Sequence, residues 1–138
     1  MKRMAHASLV LGLVAVVGGA SVAQMTYAAA AASVLQTLDP DNDGTVDLAE
    51  AKAAGSKVFD SLDRDHDGTL DRRELRGHLG PNDLTAADPD KDGTLDKNEY
   101  LTLVEKRFNG ANPDNDGTLD AKELHARAGR ALLRLIKQ

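Results

Sequence analysis

The acidic segment 88–99 has the sequence DPDKDGTLDKNE, which places oxygen-bearing side chains at positions 1, 3, 5, 9 and 12. A glycine stands at position 6, where a sharp turn would strain a residue that has a Cβ atom. Alternate residues early in such a loop direct their carboxylates toward one centre, and a glutamate at position 12 closes the shell with two oxygens. The segment therefore predicts a binding loop for a hard cation.

The same pattern occurs four times in the chain. We number the segments loops 1 to 4; they cover 39–50, 63–74, 88–99 and 112–123, so they begin 24, 25 and 24 residues apart. A recurrence at nearly constant period indicates repeated structural units. The alternative is four acidic surface turns that bind nothing, but such turns need neither glycine at every sixth position nor glutamate at every twelfth.

This arrangement of residues is the metal loop of the EF hand. In it, side chains at positions 1, 3 and 5 bind the cation, position 7 offers its backbone carbonyl, position 9 binds directly or through a water, and position 12 binds with two oxygens. The predicted metal ligands are Asp39, Asp41, Asp43, Thr45, Asp47 and Glu50; Asp63, Asp65, Asp67, Thr69, Asp71 and Glu74; Asp88, Asp90, Asp92, Thr94, Asp96 and Glu99; and Asn112, Asp114, Asp116, Thr118, Asp120 and Glu123.

Residues 1–23 have the composition of a secretory signal peptide. Two basic residues follow the first methionine, 7–17 is almost wholly apolar, and a small-x-small sequence ends at Ala23. We expect cleavage after Ala23, with Ala28 as the alternative, and a periplasmic protein with a single four-loop domain at 24–138. A retained membrane anchor is the other interpretation, but the apolar run is short for a bilayer span.

The acidic residues of the chain are concentrated in the loops. Removal of the two leader cations leaves 15 of the 17 basic residues against 22 acidic ones, a formal charge of −7. Nineteen of the 22 acids lie in the four loops, and only Asp60, Asp83 and Glu105 lie outside. The acidity is thus placed where cations would bind. A basic footprint for nucleic acid is absent, and we expect no membrane partner after signal cleavage.

The sequence offers little for catalysis or for disulfide stabilisation. It contains no cysteine, and it has neither a serine–histidine pair nor an open zinc site, so we expect no enzymatic activity. A small exported domain without disulfides needs another source of stability. We expect metal to provide it, because binding energy becomes folding energy when the unfolded chain has no site.

The distances between loops predict the fold class. Only 12, 13 and 12 residues separate successive loops, at 51–62, 75–87 and 100–111. Twelve helical residues span about 18 Å, so one helix must leave one loop and lead into the next. We therefore predict an all-α protein: a small helical bundle with four EF-hand loops joined by unusually short shared helices.

The middle segment between loops is broken by Gly80-Pro81, which ends a helix. We predict a short helix ending near Leu79, a turn, and another helix from about Asn82. This break lets loops 2 and 3 fold back on each other and leaves loops 1 and 4 to pair. A single helix is expected over 124–136.

With 33–138 considered as a whole, the chain resembles the lanmodulin family, the lanthanide-binding EF-hand proteins of methylotrophic bacteria. The resemblance rests on the four closely spaced loops, on Pro40, Pro89 and Pro113 at position 2, on aspartate at every position 9, and on Asn112 at the start of loop 4. It implies a helical bundle with peripheral metal loops that prefer trivalent lanthanides, of the La³⁺ to Sm³⁺ type, over Ca²⁺. It also implies a periplasmic role beside lanthanide-dependent methanol oxidation.

Loop 2 departs from the family pattern, because Arg64 stands where the other loops have proline. The charge of the loops favours the same metal by a separate argument. Five carboxylates leave a formal charge of −3 around Ca²⁺ and −2 around a trivalent ion, and uncompensated like charges at short range are costly. Calcium remains the weaker or alternative ligand, since loops with five acids also serve Ca²⁺. A periplasmic calcium buffer or sensor is the alternative function.

Overall fold

The computed structural model describes residues 33–137. The predicted signal peptide and its cleavage sites lie outside these residues. The described elements are helix α1 (33–38), strand β1 (Val46–Asp47), α2 (Leu48–Leu62), β2 (Thr69–Leu70), α3 (Pro81–Ala87), β3 (Leu95–Asp96), α4 (Lys97–Ala111), β4 (Thr118–Leu119), α5 (Ala121–His125) and α6 (Arg127–Ile136). No helix in this part of the chain is long and apolar enough to span a membrane.

Three helices begin at an aspartate that caps them. The N-caps of α2, α4 and α5 are Asp47, Asp96 and Asp120, and each side chain accepts the backbone N–H of the glutamate three residues later. The glutamate in turn accepts the N–H of the aspartate, which completes a capping box. Positions 9 and 12 of each of these loops therefore start a helix as well as supplying loop oxygens.

Two helices of 15 residues each connect loops directly, as the spacing predicted. Helix α2 starts inside loop 1 and ends at Leu62, immediately before loop 2. Helix α4 starts inside loop 3 and ends at Ala111, immediately before loop 4. The prediction of a mostly helical fold with short shared helices is confirmed.

The core lies where α2, α4 and α6 pack on one another. Gly55 lets α2 approach α4 closely, since a Cβ atom there would lie 3.0 Å from Val104 Cγ2. Tyr100 is fully buried, meets the Phe59 ring edge-on at a centroid distance of 5.6 Å, and donates its hydroxyl to the carbonyl of Leu135 at 2.8 Å. One aromatic side chain thus joins all three helices.

Helices α2 and α4 run antiparallel, and an ion pair lies near each end of their contact. Lys52 near the start of α2 contacts Glu105 at 2.6 Å, and Asp60 near its end contacts Lys97 at 2.7 Å. Both pairs are substantially exposed, so each contributes about 0–1 kcal/mol. The pairs fix the relative direction of the helices more than they stabilise the fold.

The loops pair as predicted from the broken middle segment. Strand β2 lies antiparallel to β3, with Leu70 opposite Leu95, and β1 lies antiparallel to β4, with Val46 opposite Leu119. All four of these residues occupy position 8 of their loops and are completely buried. Loops 2 and 3 therefore form one pair, and loops 1 and 4 form the other.

The predicted helix ending near Leu79 is wrong. Residues 72–78 form consecutive turns, held by hydrogen bonds that include Leu75 N–H to Asp71 O and Leu79 N–H to Leu75 O, both at 3.0 Å. Gly77 has a φ of +92°, which a right-handed helix cannot contain. The turn is anchored by His78, whose Nδ1 lies 2.6 Å from the carbonyl of Arg134 on α6.

The predicted single helix over 124–136 is also wrong, because it breaks into α5 and α6 at Ala126. This residue has an extended conformation, with φ −64° and ψ 167°. The bend brings Gly129 against the backbone of Glu123 and Leu124, where a Cβ atom would overlap them. The corner therefore requires glycine at position 129, three residues beyond the break.

Candidate metal centre

The four loops share one backbone conformation. Position 4 is left-handed in each, with φ between 55° and 63° at Asn42, His66, Lys91 and Asn115, and the glycine at position 6 has φ near 90°. Asparagine tolerates this region best among residues with a side chain. The two left-handed positions curl each loop so that its backbone N–H groups and side chains point inward.

The first residue of each loop lies beneath it and is buried: Asp39, Asp63, Asp88 and Asn112 are 5–8% exposed. In loops 1 to 3 its Oδ2 accepts the N–H of the position-6 glycine, at 2.9, 3.1 and 2.9 Å respectively. The glycine thus has a second role that the sequence pattern did not reveal. Its N–H holds the position-1 carboxylate inside the loop.

Carboxylates converge in three of the four loops. One oxygen from each member of the groups Asp39–Asp41–Asp43, Asp63–Asp65–Glu74 and Asp88–Asp90–Glu99 lies within 4.8 Å of the others. Positions 1 and 3 belong to every group, and the third member comes from position 5 or 12. Loop 4 adds no such carboxylate group within residues 33–137, since its first residue is an asparagine.

The aspartate at position 5 is also tied to the loop frame. Its Oδ1 accepts both the backbone N–H and the hydroxyl of the threonine at position 7. In loop 3, these two Asp92–Thr94 distances are 2.8 and 2.7 Å. The threonine side chain therefore orients a predicted ligand, while its own predicted ligand atom is the backbone carbonyl.

The aspartate at position 9 accepts a backbone hydrogen bond in every loop, and in loops 1, 3 and 4 it is also the N-cap of a helix. Asp47, Asp71, Asp96 and Asp120 each accept the N–H of the position-12 glutamate through Oδ1, at 2.7–2.9 Å. None of them belongs to the converging groups. Their role as ligands, directly or through a water, stays a prediction.

Four buried side-chain oxygens in the described part of the chain have no hydrogen-bond partner: Glu50 Oε1, Asp63 Oδ1, Asn112 Oδ1 and Glu123 Oε1. All four belong to the loops, at position 1 or position 12. A buried polar atom without a partner costs about 1–3 kcal/mol, so such atoms are rare unless a ligand uses them. These oxygens fit a cation that needs many oxygen ligands.

The charges of loop 1 shift the pKa values of its carboxyls. A hydrogen bond with Asp39 raises the pKa of Asp41. Burial opposes ionisation of Asp39. The hydrogen bonds with the Gly44 N–H and with the Asp41 side chain outweigh burial, so the pKa of Asp39 is lowered. Burial, helped by the charges of Asp41, Asp47 and Asp39, raises the pKa of Glu50.

Loop 3 repeats this arrangement. Burial likewise raises the pKa of Glu99, against the lowering effect of the Asp96 N–H. The N–H of Asp92 favours ionisation of Asp90, but the hydrogen bond with Asp88 and the neighbouring charges outweigh it and raise the pKa of Asp90. Loops 1 and 3 therefore hold crowded carboxylates whose repulsion a cation would relieve.

Loop 2 has a contact that sequence reasoning missed. The backbone N–H of Arg64, at position 2, donates to Glu74 Oε1 at 2.9 Å. Loops 1, 3 and 4 have proline at this position, and proline has no N–H. The sequence contains the signal for this contact, because loop 2 has a non-proline residue at position 2 and therefore a backbone N–H that can donate.

A protein-family model described as EF hand matches residues 56–77 and 82–104, which include all of loops 2 and 3 and parts of their adjoining helices. The repeats that contain loops 2 and 3 match the EF hand. The match supports an EF-hand family for the chain, and the carboxylate groups and partnerless oxygens make this EF-hand protein able to hold metal ions. Curated proteins gave no significant match. EF hands are typically metal-binding modules without catalytic activity of their own.

Proposed function

We propose that this protein is a periplasmic EF-hand protein that binds trivalent lanthanide ions selectively and folds when it is loaded. The observation that supports this best is the high negative charge of loops 1 to 3. Each has five carboxylates in twelve residues, and in each at least three carboxylate oxygens lie within 4.8 Å of one another. Sites with oxygen ligands alone suit hard cations such as Ca²⁺ and the lanthanide ions.

Charge favours a trivalent ion over calcium in such a site. Two unit charges 4 Å apart interact by about 4 kcal/mol at an effective dielectric constant of about 20. A third positive charge offsets more of the repulsion among the five carboxylates. The raised pKa values of Asp41, Glu50, Asp90 and Glu99 have this same repulsion among their causes.

The resemblance to the lanmodulin family supports the same proposal. Pro40, Pro89 and Pro113 match the proline of that family, and Asn112 matches its fourth loop. The pairing of loop 1 with loop 4 and of loop 2 with loop 3 fits closely spaced loops joined by shared helices. By the same resemblance, the proposed place of action is the periplasm, beside lanthanide-dependent methanol oxidation.

Calcium binding by a periplasmic buffer or sensor is the second candidate. It is favoured by the match of loops 2 and 3 to a general EF-hand model, since EF hands commonly bind Ca²⁺. The two candidates differ in one measurable quantity, which is the ratio of affinities for trivalent and divalent ions.

Competitive loading decides between them. The purified mature protein is equilibrated with La³⁺ at one equivalent per loop in a large excess of Ca²⁺, the free ions are removed by ultrafiltration, and the bound metals are quantified. We expect La³⁺ to occupy loops 1 to 3. Occupancy by Ca²⁺ under these conditions would establish the calcium-binding function instead.

A matched variant tests the role of charge. Asp41→Asn, Asp65→Asn and Asp90→Asn together remove one carboxylate from position 3 of loops 1 to 3 and keep an oxygen ligand at each place. We expect the preference for La³⁺ over Ca²⁺ to fall by on the order of tenfold or more for each loop. An unchanged preference would show that the number of carboxylates does not determine selectivity.

A further inference from the structure

The position-12 glutamates differ between loops in the partner of a single oxygen. In all four loops Oε2 accepts the N–H of the position-9 aspartate, at 2.9–3.0 Å. Glu74 Oε1 additionally accepts the N–H of Arg64 in loop 2. By contrast, Glu50 Oε1 in loop 1 and Glu123 Oε1 in loop 4 are buried without any hydrogen-bond partner.

The residue at position 2 accounts for this difference. Pro40 and Pro113 precede the third residue of loops 1 and 4, and the proline nitrogen has no hydrogen to donate. The frame around the glutamate is otherwise the same, because the capping bond through Oε2 is present in every loop. Arginine in place of proline therefore adds one backbone N–H donor, which is directed at one predicted metal ligand.

The backbone ψ angle of the first loop residue is similar in loops with and without proline at position 2. Asp63, which precedes Arg64, has ψ 84°, while Asp88 and Asn112, which precede prolines, have ψ 87° and 82°. The φ of Asp63 is −67°, against −105° and −106° for Asp88 and Asn112, so the loops share ψ but not φ at this residue. The Arg64 side chain itself is exposed, so the contact with Glu74 comes from the main chain.

We infer that position 2 tunes metal affinity through its backbone N–H: proline leaves the position-12 Oε1 wholly available to a cation, and the Arg64 N–H competes for that oxygen in loop 2. An oxygen that accepts an N–H bond has part of its negative charge compensated already, and in a folded loop without a cation its burial is no longer costly. A cation therefore gains less by binding it. This inference rests on the proposed function, namely that the loops bind cations.

Loop 2 remains a binding site in this interpretation, because Asp63 Oδ1 is buried and has no partner. The N–H reduces the contribution of position 12 only. The effect is expected for Ca²⁺ and for La³⁺ alike, and it should be larger for the ion of higher charge. It is separate from the effect of the arginine charge, which acts through the exposed side chain.

Three variants of the full mature protein test the inference, with the La³⁺ affinity of each loop measured by site-resolved NMR titration. Arg64→Ala removes the charge and keeps the N–H, whereas Arg64→Pro removes both. We expect the loop 2 affinity of Arg64→Pro to exceed that of Arg64→Ala by on the order of tenfold, the loss expected for one hydrogen bond to a charged group. Pro40→Ala introduces the donor into loop 1 and should weaken that loop by a similar factor.

A backbone ester separates the donor from the rigidity of proline. Replacing Arg64 by its α-hydroxy acid removes the N–H and leaves φ free. We expect this ester to tighten loop 2 relative to the parent, by about as much as Arg64→Pro exceeds Arg64→Ala. Equal affinities for the ester and the parent, or for Arg64→Pro and Arg64→Ala, would overturn the inference. If loops 1 to 3 of the parent bind neither La³⁺ nor Ca²⁺, the proposed function fails as well, which is a distinct result.

Discussion

Each twelve-residue loop contains residues of two kinds, those that surround the cation position and those that hold the loop in shape. The glycine N–H fixes the carboxylate at position 1 in loops 1 to 3, and the threonine hydroxyl fixes that at position 5 in all four. The aspartate at position 9 accepts the N–H of the glutamate at position 12 and so fixes it, and in loops 1, 3 and 4 it also caps the following helix. Nearly every predicted ligand is therefore held by a hydrogen bond from its own loop, which reduces the entropy lost when a cation binds.

Loop 4 differs from the others at its first residue. Asn112 is 6% exposed and its Oδ1 has no hydrogen-bond partner, so it offers an oxygen of lower charge at a position where the other loops have aspartate. We predict that loop 4 binds a trivalent ion most weakly. Asn112→Asp should tighten it by at least about tenfold, because an added unit charge beside the ion is worth several kcal/mol before repulsion is subtracted.

A second variant controls for charge alone. Asn115 is exposed and stands at position 4, which is not a predicted ligand position, and its φ of 55° also suits aspartate. Asn115→Asp should change loop 4 affinity much less than Asn112→Asp. A site-resolved NMR titration in which loop 4 of the parent fills first would contradict the ranking by carboxylate count.

The helices and loops differ in how far the sequence predicts them. The loops follow from residue types at fixed positions, and the shared helices α2 and α4 follow from spacings too short for two helices each. The pairing of the loops also followed, because Gly80-Pro81 marks the only linker able to fold back. These features depend on local chemistry and chain length, which a single sequence contains.

The two wrong helices depend on contacts that are remote or subtle in the sequence. The predicted short helix ending near Leu79 does not form, because Gly77 adopts φ +92° and His78 beside it contacts the carbonyl of Arg134 on α6. The corner at Ala126 has no glycine or proline at the break itself. The bend places Gly129 against the backbone of α5, and this close approach does not follow from the residue types alone.

Gly129 is the residue that makes the α5–α6 corner possible, and this predicts a strong effect of adding one methyl group. In Gly129→Ala the Cβ would meet the backbone of Glu123 and Leu124, which cannot move as a side chain would. We expect the La³⁺-loaded protein to lose about 1–3 kcal/mol of unfolding free energy, measured by urea denaturation. Loop 4 affinity should fall too, since the clash involves its position-12 residue.

Gly110 provides the matched control for this variant. It lies in α4, and a Cβ atom placed there meets nothing within 4 Å. Gly110→Ala should stabilise the protein by about 0.5–1 kcal/mol, because alanine is the better helix former. Equal effects of the two substitutions would show that the contact at Gly129 does not determine the corner.

At the scale of the whole molecule, the apolar and acidic residues are segregated. The core of α2, α4 and α6 contains the aromatic and branched side chains, and the four loops lie at the ends of these helices, paired through fully buried position-8 residues. The loops therefore cannot change shape without moving the ends of the core helices. Through this connection, the binding of a cation in one loop can influence the entire fold.

Metal loading should fall as the solution becomes acidic. The pKa values of Asp41, Glu50, Asp90 and Glu99 are raised, so these groups take up protons at a higher pH than isolated acids do. Cation and proton compete for the same oxygens. La³⁺ occupancy of loops 1 and 3 should be complete above the raised pKa values and be lost as pH falls through them.

The same raised pKa values have the opposite effect on the metal-free fold. A carboxyl such as Glu50, whose pKa is higher in the folded loop than in the unfolded chain, contributes stability that is present at low pH and is lost as pH rises. The number of protons released on loading at about pH 5, measured by pH-stat titration, should decrease in Glu50→Gln. Loading that does not depend on pH from about 6 to 4 would contradict this assignment.

Folding of the entire domain should depend on metal. Without a cation, 19 of the 22 acidic residues of the chain are held in four small loops, and their repulsion opposes the closure of each pair. The helices that must overcome this repulsion are at most 15 residues long, a length that is marginal for an isolated helix in water. We therefore predict a metal-free chain with much less helix than the loaded one, since a ligand that binds only the folded state stabilises it by mass action.

Far-UV circular dichroism of the segment 24–138, recorded during addition of La³⁺, measures this coupling. The helical signal should rise with occupancy and reach its plateau when loops 1 to 3 are filled. Leu70→Ala and Val46→Ala serve as a comparison, because each removes a buried position-8 side chain from one loop pair without removing a ligand. Each should raise the La³⁺ concentration needed for folding, since the cavity costs about 2–5 kcal/mol for leucine and somewhat less for valine. Equal helicity with and without La³⁺ in the parent protein would show that the fold forms independently of the metal, and the loops would then bind cations on a scaffold that is already complete.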